Sequence, residues 1–182
     1  EECLTKGYRT CIKKRCVKGS LFASVVRVFS MKVHKAMNVY KGVDAFITPS
    51  EFLKKKLIEN GFDENKITCI PTFTASKSEV GKPQVGTYGL YFGRVTEEKG
   101  VDTVVKAYEM MPDRHVKIMG DDTTDEAKRL KAYIKEKNMK NVEFLGFKAG
   151  EELEEIIKGA RFTLIPSIWY DNLPNTALES FQ

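Results

Sequence analysis

The second half of the chain alternates short apolar runs with amphipathic stretches. Tyr88–Phe92 reads as a buried strand that stops at Gly93. Val101, Val104, Val105, Tyr108 and Met111 then share one helical stripe, closed by Pro112 and Asp113. Residues 115–119 form a strand with Gly120, Asp121 and Asp122 at its C-terminal end. A helix to about Asn138 follows, with Ala127, Leu130 and Ile134 inward and with Thr123 and Glu126 at capping-box spacing. Residues 142–145 are the next strand, tipped by Gly146 and Phe147. An acidic helix over Gly150–Lys158 leads to a strand over residues 161–165 that ends at Pro166 and Ser167. Strands and helices in this alternation predict a parallel sheet covered on both faces, a Rossmann-like α/β fold. The loops after the strands then gather Arg94, Lys99, Gly120, Phe147 and Ser167 along the edge where open α/β sheets bind ligands.

The first half is organised differently. From about residue 20 to 40, Phe22, Val26, Phe29, Val33, Met37 and Tyr40 recur at helical spacing on one face, with Arg27, Lys32, His34 and Lys35 mostly off it. Such a helix either docks on its own domain or lies on a membrane surface. His34 has no acidic partner nearby in sequence, which argues against a catalytic role. Residues 43–48 form a short strand, broken by Pro49 and Ser50, with Ser50 as N-cap of a helix over residues 51–60. That helix should bury Phe52, Leu53 and Leu57 and end at Gly61. Residues 67–70 are a second strand, and strand, helix and strand in this order imply parallel pairing through a right-handed crossover. Residues 74–87, rich in Ser, Lys, Gly and Pro, read as a linker between a domain over 1–73 and a domain over 88–182.

Composition narrows the class. At 42% hydrophobic and 30% charged, the 182 residues suit a soluble globular protein of one or two small domains. No apolar run approaches the roughly 18 residues of a membrane span, and the first residues lack a secretory pattern. With no initiator Met and a final helix without a stop signal, the chain is expected to be an internal part of a longer protein. Ten Lys/Arg against two Asp/Glu in residues 1–41 give that stretch a charge of +8 within a total of +5. This basic stretch is either a solvated face or a contact for anionic membrane or nucleic acid. Cys3, Cys11 and Cys16 lie in it and are candidate zinc ligands, with His34 or a residue outside the chain as the fourth. Their spacing matches no standard finger, and the alternative is reduced thiols beside Lys13, Lys14 and Arg15. Cys69 lies in an apolar strand and reads as core.

The candidate chemistry lies in two loops. After Gly93, which lets the backbone turn, come Arg94 and Lys99. A guanidinium can fork onto a phosphate and an ammonium can add a point charge near a helix start; the alternative is two solvated cations on an ordinary loop. Downstream, Asp171 lies on a loop and Glu179 one to two turns into a helix whose first residue would be Pro174. A carboxylate there suits vicinal sugar hydroxyls, since it accepts and they donate. Taken singly, Asp171 reads as a turn former and Glu179 as an exposed helix residue.

The ordered series Y-F-G-R-V-T-E-E-K-G, I-M-G-D, V-E-F-L-G-F and I-P-S-I-W-Y-D-N-L-P-N-T-A-L-E-S-F resembles the donor-binding half of a family 4 glycosyltransferase of GT-B architecture. D-A-F-I-T-P-S-E-F-L-K-K-K-L and I-T-C-I-P-T-F are similar to the end of that family's acceptor half. The resemblance implies retaining transfer of a sugar from a nucleoside-diphosphate sugar to a hydroxyl acceptor, in polysaccharide or glycolipid synthesis. It implies Arg94 and Lys99 on the donor diphosphate, Asp171 on the transferred sugar and Glu179 on the ribose. Gly93 and Gly120 would complete the donor site, with Phe147 beside the base and the backbone N–H groups of Asn175 and Thr176 on phosphate. Asp171 stands where the family carries a longer acid. No metal cofactor is expected, since the two cations can serve the diphosphate and no Asp-x-Asp occurs. The expected location is cytoplasmic, with peripheral contact to an anionic membrane and no nucleic-acid partner. The family's Gly-rich loop and later strands are not in the chain, so transfer by the chain alone is not expected. The alternatives are a non-catalytic nucleotide or phosphosugar binder and a basic module that contacts nucleic acid or a membrane surface.

Overall fold

The computed structural model describes residues 6–73 and 85–181. They divide into two compact units: the described residues up to Thr48 with Lys54–Thr68, and Pro49–Leu53 with the described residues from Cys69 onward. Most of the expected linker, residues 74–84, lies outside the described residues. Among those described, no helix is long and apolar enough to cross a membrane.

In the first unit, α1 (Arg9–Lys13) packs on α2 (Leu21–Ala36). Ser20 caps α2 by accepting from the Ala23 N–H. The buried Ser24 hydroxyl donates to the Ser20 carbonyl and accepts from the Val17 N–H, which ties the α1–α2 connection down. The apolar stripe is not docked on its own unit but exposed: Phe22 is 78%, Phe29 68% and Met37 69% accessible. Buried Ser24 and Val28 lie on the opposite side. The helix also stops earlier than expected. Asn38 turns left-handed at φ 50°, and a 3-10 turn over Val39–Gly42 follows.

β1 (Phe46–Thr48) pairs with β2 (Ile67–Cys69). β1 is shorter than expected, because the Val43 carbonyl is taken by the Lys66 ammonium at 2.8 Å. Between the strands comes α3 (Glu51–Glu59), capped at Ser50 as expected, with the Leu53 N–H donating to its hydroxyl. Its apolar side is only partly covered, with Phe52 43% accessible and Leu53 and Leu57 half-buried.

The second unit runs β3 (Tyr88–Phe92), α4 (Val101–Glu109), β4 (Val116–Met119), α5 (Asp125–Glu136), β5 (Val142–Gly146), α6 (Gly150–Lys158), β6 (Ala160–Thr163) and α7 (Asn175–Ser180). Its sheet has the order β5-β4-β3-β6, and every pair is parallel. This is an α/β fold with a parallel sheet between helices. Alternation along β3 sends Tyr91 to one face and Leu90 and Phe92 to the other. Tyr91 joins Val104, Val105, Ile118 and Leu130 under α4 and α5. Leu90, Phe92 and Met119 pack with Leu153 and Ile156 of α6. Leu90, Ile118 and Leu130 are fully buried, so the sheet is sealed on both sides.

Two local expectations shift. Thr124, not Thr123, caps α5 by accepting from the Ala127 N–H at 3.1 Å. Thr123 is drawn into a turn in which its N–H and hydroxyl both donate to Asp121 Oδ1. Met111 falls beyond the end of α4 and is 41% accessible.

Candidate functional site

The loop after β3 is held by its own backbone. Gly93 takes φ 144°, outside the ordinary range of L-residues, and its N–H donates to the Met119 carbonyl at 3.0 Å. The Tyr91 hydroxyl donates to the Arg94 carbonyl at 2.6 Å, from a buried position that pushes the phenol pKa up. Val95 is fully buried beneath the loop, and its carbonyl accepts from Thr124 Oγ1. A 3-10 turn over Glu97–Lys99 then ends at Gly100, left-handed at φ 69°. These anchors carry Arg94 and Lys99 to the C-terminal edge of the sheet.

The loop after β6 is stitched to that turn. A Cβ on Gly100 would lie 2.1 Å from the Pro166 carbonyl oxygen, so the two backbones touch. The Ile168 N–H donates to the Glu98 carbonyl at 3.1 Å. This brings Asp171 to Lys99. Asp171 Oδ2 accepts from Lys99 Nζ at 2.5 Å and from Ser167 Oγ at 3.0 Å, and both charged side chains are more than four-fifths buried. Burial pushes the Asp171 carboxyl up, but the hydrogen bonds from Lys99 and Ser167 outweigh it and hold it below the usual carboxylate value. Lys99 Nζ also lies 5.7 Å from the centre of the Trp169 ring.

Gly93, Arg94, Lys99, Asp171, Asn175 and Thr176 line one cleft of about 390 Å³, together with Tyr91 and Ser167. Of its two cations, Lys99 is spoken for by Asp171. The Arg94 side chain is exposed and has no hydrogen-bond or ion-pair partner among the described residues. The cleft therefore presents an exposed guanidinium without a hydrogen-bond partner among the described residues, beside a largely buried ion pair. Gly93 approaches α7 closely: a Cβ there would lie 3.8 Å from Thr176 Cγ2.

The other expected residues sit elsewhere. Gly120 is buried behind the Gly93 turn, where a Cβ would meet the Gly93 carbonyl oxygen at 2.0 Å. Phe147 is 75% accessible on the tip after β5. Glu179 is half-buried in the last turn of α7 and does not line the cleft. Pro174 is extended, at ψ 134°, and precedes α7 rather than opening it as a helical residue. Of the candidate zinc ligands, Cys3 lies outside the described residues, Cys11 is buried, and Cys16 and His34 are exposed. Among the described residues no three His, Cys, Asp or Glu side chains come together as a metal site.

Two cleft residues and one neighbour of Lys99 carry no signal in the sequence. Tyr91 sits in an apolar run, which marks it only as core. Trp169, outside the cleft lining, gives no sequence signal of its nearness to Lys99. Ser167 was placed at the sheet edge, but nothing assigned it to Asp171 four residues on.

The family model for glycosyl transferases group 1 matches residues 73–182. None of the curated proteins matches the chain. Among solved structures, the lipopolysaccharide outer core galactosyltransferase WaaB in its apo form is 20% identical, with a TM-score of 0.60 over 76% of this chain and 40% of that one. Anabaena HepE in complex with UDP-glucose is 18% identical, with a TM-score of 0.63 over 76% of this chain and 42% of that one. A TarM variant from S. aureus, in complex with fondaparinux, alpha-GlcNAc-glycerol and UDP, is 16% identical, with a TM-score of 0.64 over 77% and 28%. The chain thus spans well under half the length of these structures, and at such identities the likeness is one of fold: the GT-B glycosyltransferase arrangement. The family model covers more than half of the sequence, including both loops of the cleft, and the chain belongs to the glycosyl transferases group 1 family.

Proposed function

We propose that the cleft is the donor half of a retaining, family 4 glycosyltransferase site, which moves a sugar from a nucleoside-diphosphate sugar to a hydroxyl of a saccharide or lipid-linked acceptor. The observation that carries this reading is the convergence of Arg94, Lys99 and Asp171 on one cleft from two loops of the parallel sheet. As the glycosidic bond breaks, negative charge grows on the departing diphosphate. A guanidinium and an ammonium already set in a partly enclosed cleft stabilise that charge with little reorganisation. Asp171 accepts from sugar hydroxyls, and Asn175 and Thr176 line the same space. The resemblance also implies Glu179 on the ribose and Phe147 beside the base, and both lie outside the lining of this cleft.

A thermal-shift panel of sugar nucleotides tests the reading, since a ligand selective for the native state raises its apparent stability. A stabilising sugar nucleotide whose effect is lost in Arg94→Ala supports it. No shift with any of them overturns it.

The exposed stripe on α2, edged by Arg27, Lys32 and Lys35, supports the further proposal of peripheral contact with an anionic membrane at its cytoplasmic face. Salt-sensitive sedimentation with anionic vesicles, lost on Phe22→Glu, is the expected result. Equal sedimentation of the variant removes it.

A further inference from the structure

Lys99 is proposed to bind the donor diphosphate, yet its ammonium is already bonded to Asp171 at 2.5 Å in a largely buried pair. A phosphate oxygen bonded to Nζ would lie within about 5 Å of Asp171 Oδ2, where two like charges repel. The ammonium has three N–H donors, but Asp171 and the diphosphate draw on one positive charge, so each weakens the other's hold on it. Their competition is unequal between the two ligands the site must handle. An intact donor brings sugar hydroxyls, which offer the carboxylate other partners when it releases Lys99. The spent nucleoside diphosphate brings none, and the carboxylate returns to Lys99. Ser167 is placed to guide that exchange, because its hydroxyl holds the same Oδ2 from the carboxylate's own loop. Arg94 has no carboxylate hydrogen-bonded to it among the described residues, only the through-space charge of Glu98, and contributes its charge to both ligands alike.

We infer that Asp171 is an internal substitute for the diphosphate, which lowers the affinity of the spent nucleoside diphosphate relative to the intact sugar nucleotide and so promotes product release. The inference rests on the donor-site reading above and adds a discrimination to it. It requires only the pair, the shared cleft and the chemistry of the two ligands.

The test compares wild-type protein with Asp171→Asn by calorimetry. The probes are UDP, GDP and ADP, each beside UDP-glucose, GDP-mannose or ADP-glucose. Asn keeps the size of the side chain and removes its charge, and Asp171→Ala replaces it if a melting curve shows the fold lost. The nucleoside diphosphate that binds wild type should bind Asp171→Asn about three- to tenfold more tightly, a change of up to about 1.4 kcal/mol. Its sugar ester should gain nothing or bind more weakly, so the two affinities move apart. In a Lys99→Met background the gain for the diphosphate should vanish. Its persistence there would show simple charge removal rather than exchange on Lys99, and would overturn the inference. An unchanged or weaker diphosphate affinity in Asp171→Asn overturns it too, while leaving the donor site standing. If wild type binds none of the nucleotides, the donor-site reading falls and the inference with it.

Discussion

Gly100 and Pro166 touch backbone to backbone: a Cβ on Gly100 would lie 2.1 Å from the Pro166 carbonyl oxygen. That contact seats the loop bearing Arg94 and Lys99 against the loop bearing Ser167 and Asp171. The two loops are distant in sequence, and the short approach is what lets one ammonium reach one carboxylate. Gly100 is also left-handed at φ 69°, so it lacks a Cβ for two independent reasons.

Gly100→Ala should therefore damage the cleft and the fold together. The left-handed conformation costs about 1 kcal/mol for a residue with a Cβ, and the backbone clash adds to it because Pro166 cannot yield like a flexible side chain. A loss of about 2–4 kcal/mol is expected in urea unfolding, within the range of strained core positions. A variant as stable as wild type would show that the two loops separate freely.

Asn141 fixes the opposite end of the same layer. It is 6% accessible, and its amide nitrogen lies within 2.8–3.0 Å of the carbonyls of Tyr108, Met111 and Arg114. The Tyr108 and Met111 carbonyls also accept backbone N–H groups of the same turn, from Met111 and Arg114, so the amide locks a turn that is already hydrogen-bonded. Asn141→Ala removes the side-chain bonds that hold this turn to the start of β5, at a cost of about 1–3 kcal/mol. Urea denaturation reads this directly, and a change under about 0.5 kcal/mol would mean that water replaces the amide.

Much of the second unit was legible because its apolar runs and stripes coincide with its elements. Short apolar runs closed by Gly93 and Gly120 marked β3 and β4, and 3.6-period stripes marked α4 and α5, so burial of Leu90, Ile118, Val104 and Leu130 follows from pattern alone. The α2 stripe had the same period, yet Phe22 and Phe29 are exposed. Periodicity shows which side of a helix is apolar but does not supply the surface that covers it. At the site, Arg94, Lys99 and Asp171 were legible as residue types on loops. Their pairing was not, because the bond between Lys99 and Asp171 depends on the Gly100–Pro166 approach, which no local pattern encodes. Ser167 was missed as a partner for the same reason.

The capping of α5 offers a sharp comparison between neighbours. Thr124 Oγ1 accepts from the Ala127 N–H and donates to the Val95 carbonyl under the cation loop. Thr123 only closes an exposed turn on Asp121. Thr124→Ala should cost about 1–2 kcal/mol, whereas Thr123→Ala should cost about 0.5 kcal/mol or less. Thermal melts of the two variants decide it, and equal effects would place the cap at the wrong residue.

The charge state of Asp171 makes stability depend on pH with a definite sign. Burial raises its pKa, the bonds from Lys99 and Ser167 lower it by more than that, and the folded value lies below the ordinary 3.8. A carboxyl depressed in this way binds fewer protons folded than unfolded, so its contribution is fully present above the unfolded value and fades as pH falls through the folded one. Wild type should therefore be more stable than Asp171→Asn near neutrality, where the variant leaves Lys99 partly buried without its counter-charge. That advantage should shrink below pH 3.8 and be lost once Asp171 is protonated in both states. Urea midpoints for the two proteins between about pH 6 and 2.5 measure the difference, and the other carboxylates cancel because both proteins carry them. A gap that stays constant down to the lowest pH would show that Lys99 and Asp171 do not stabilise each other as charges.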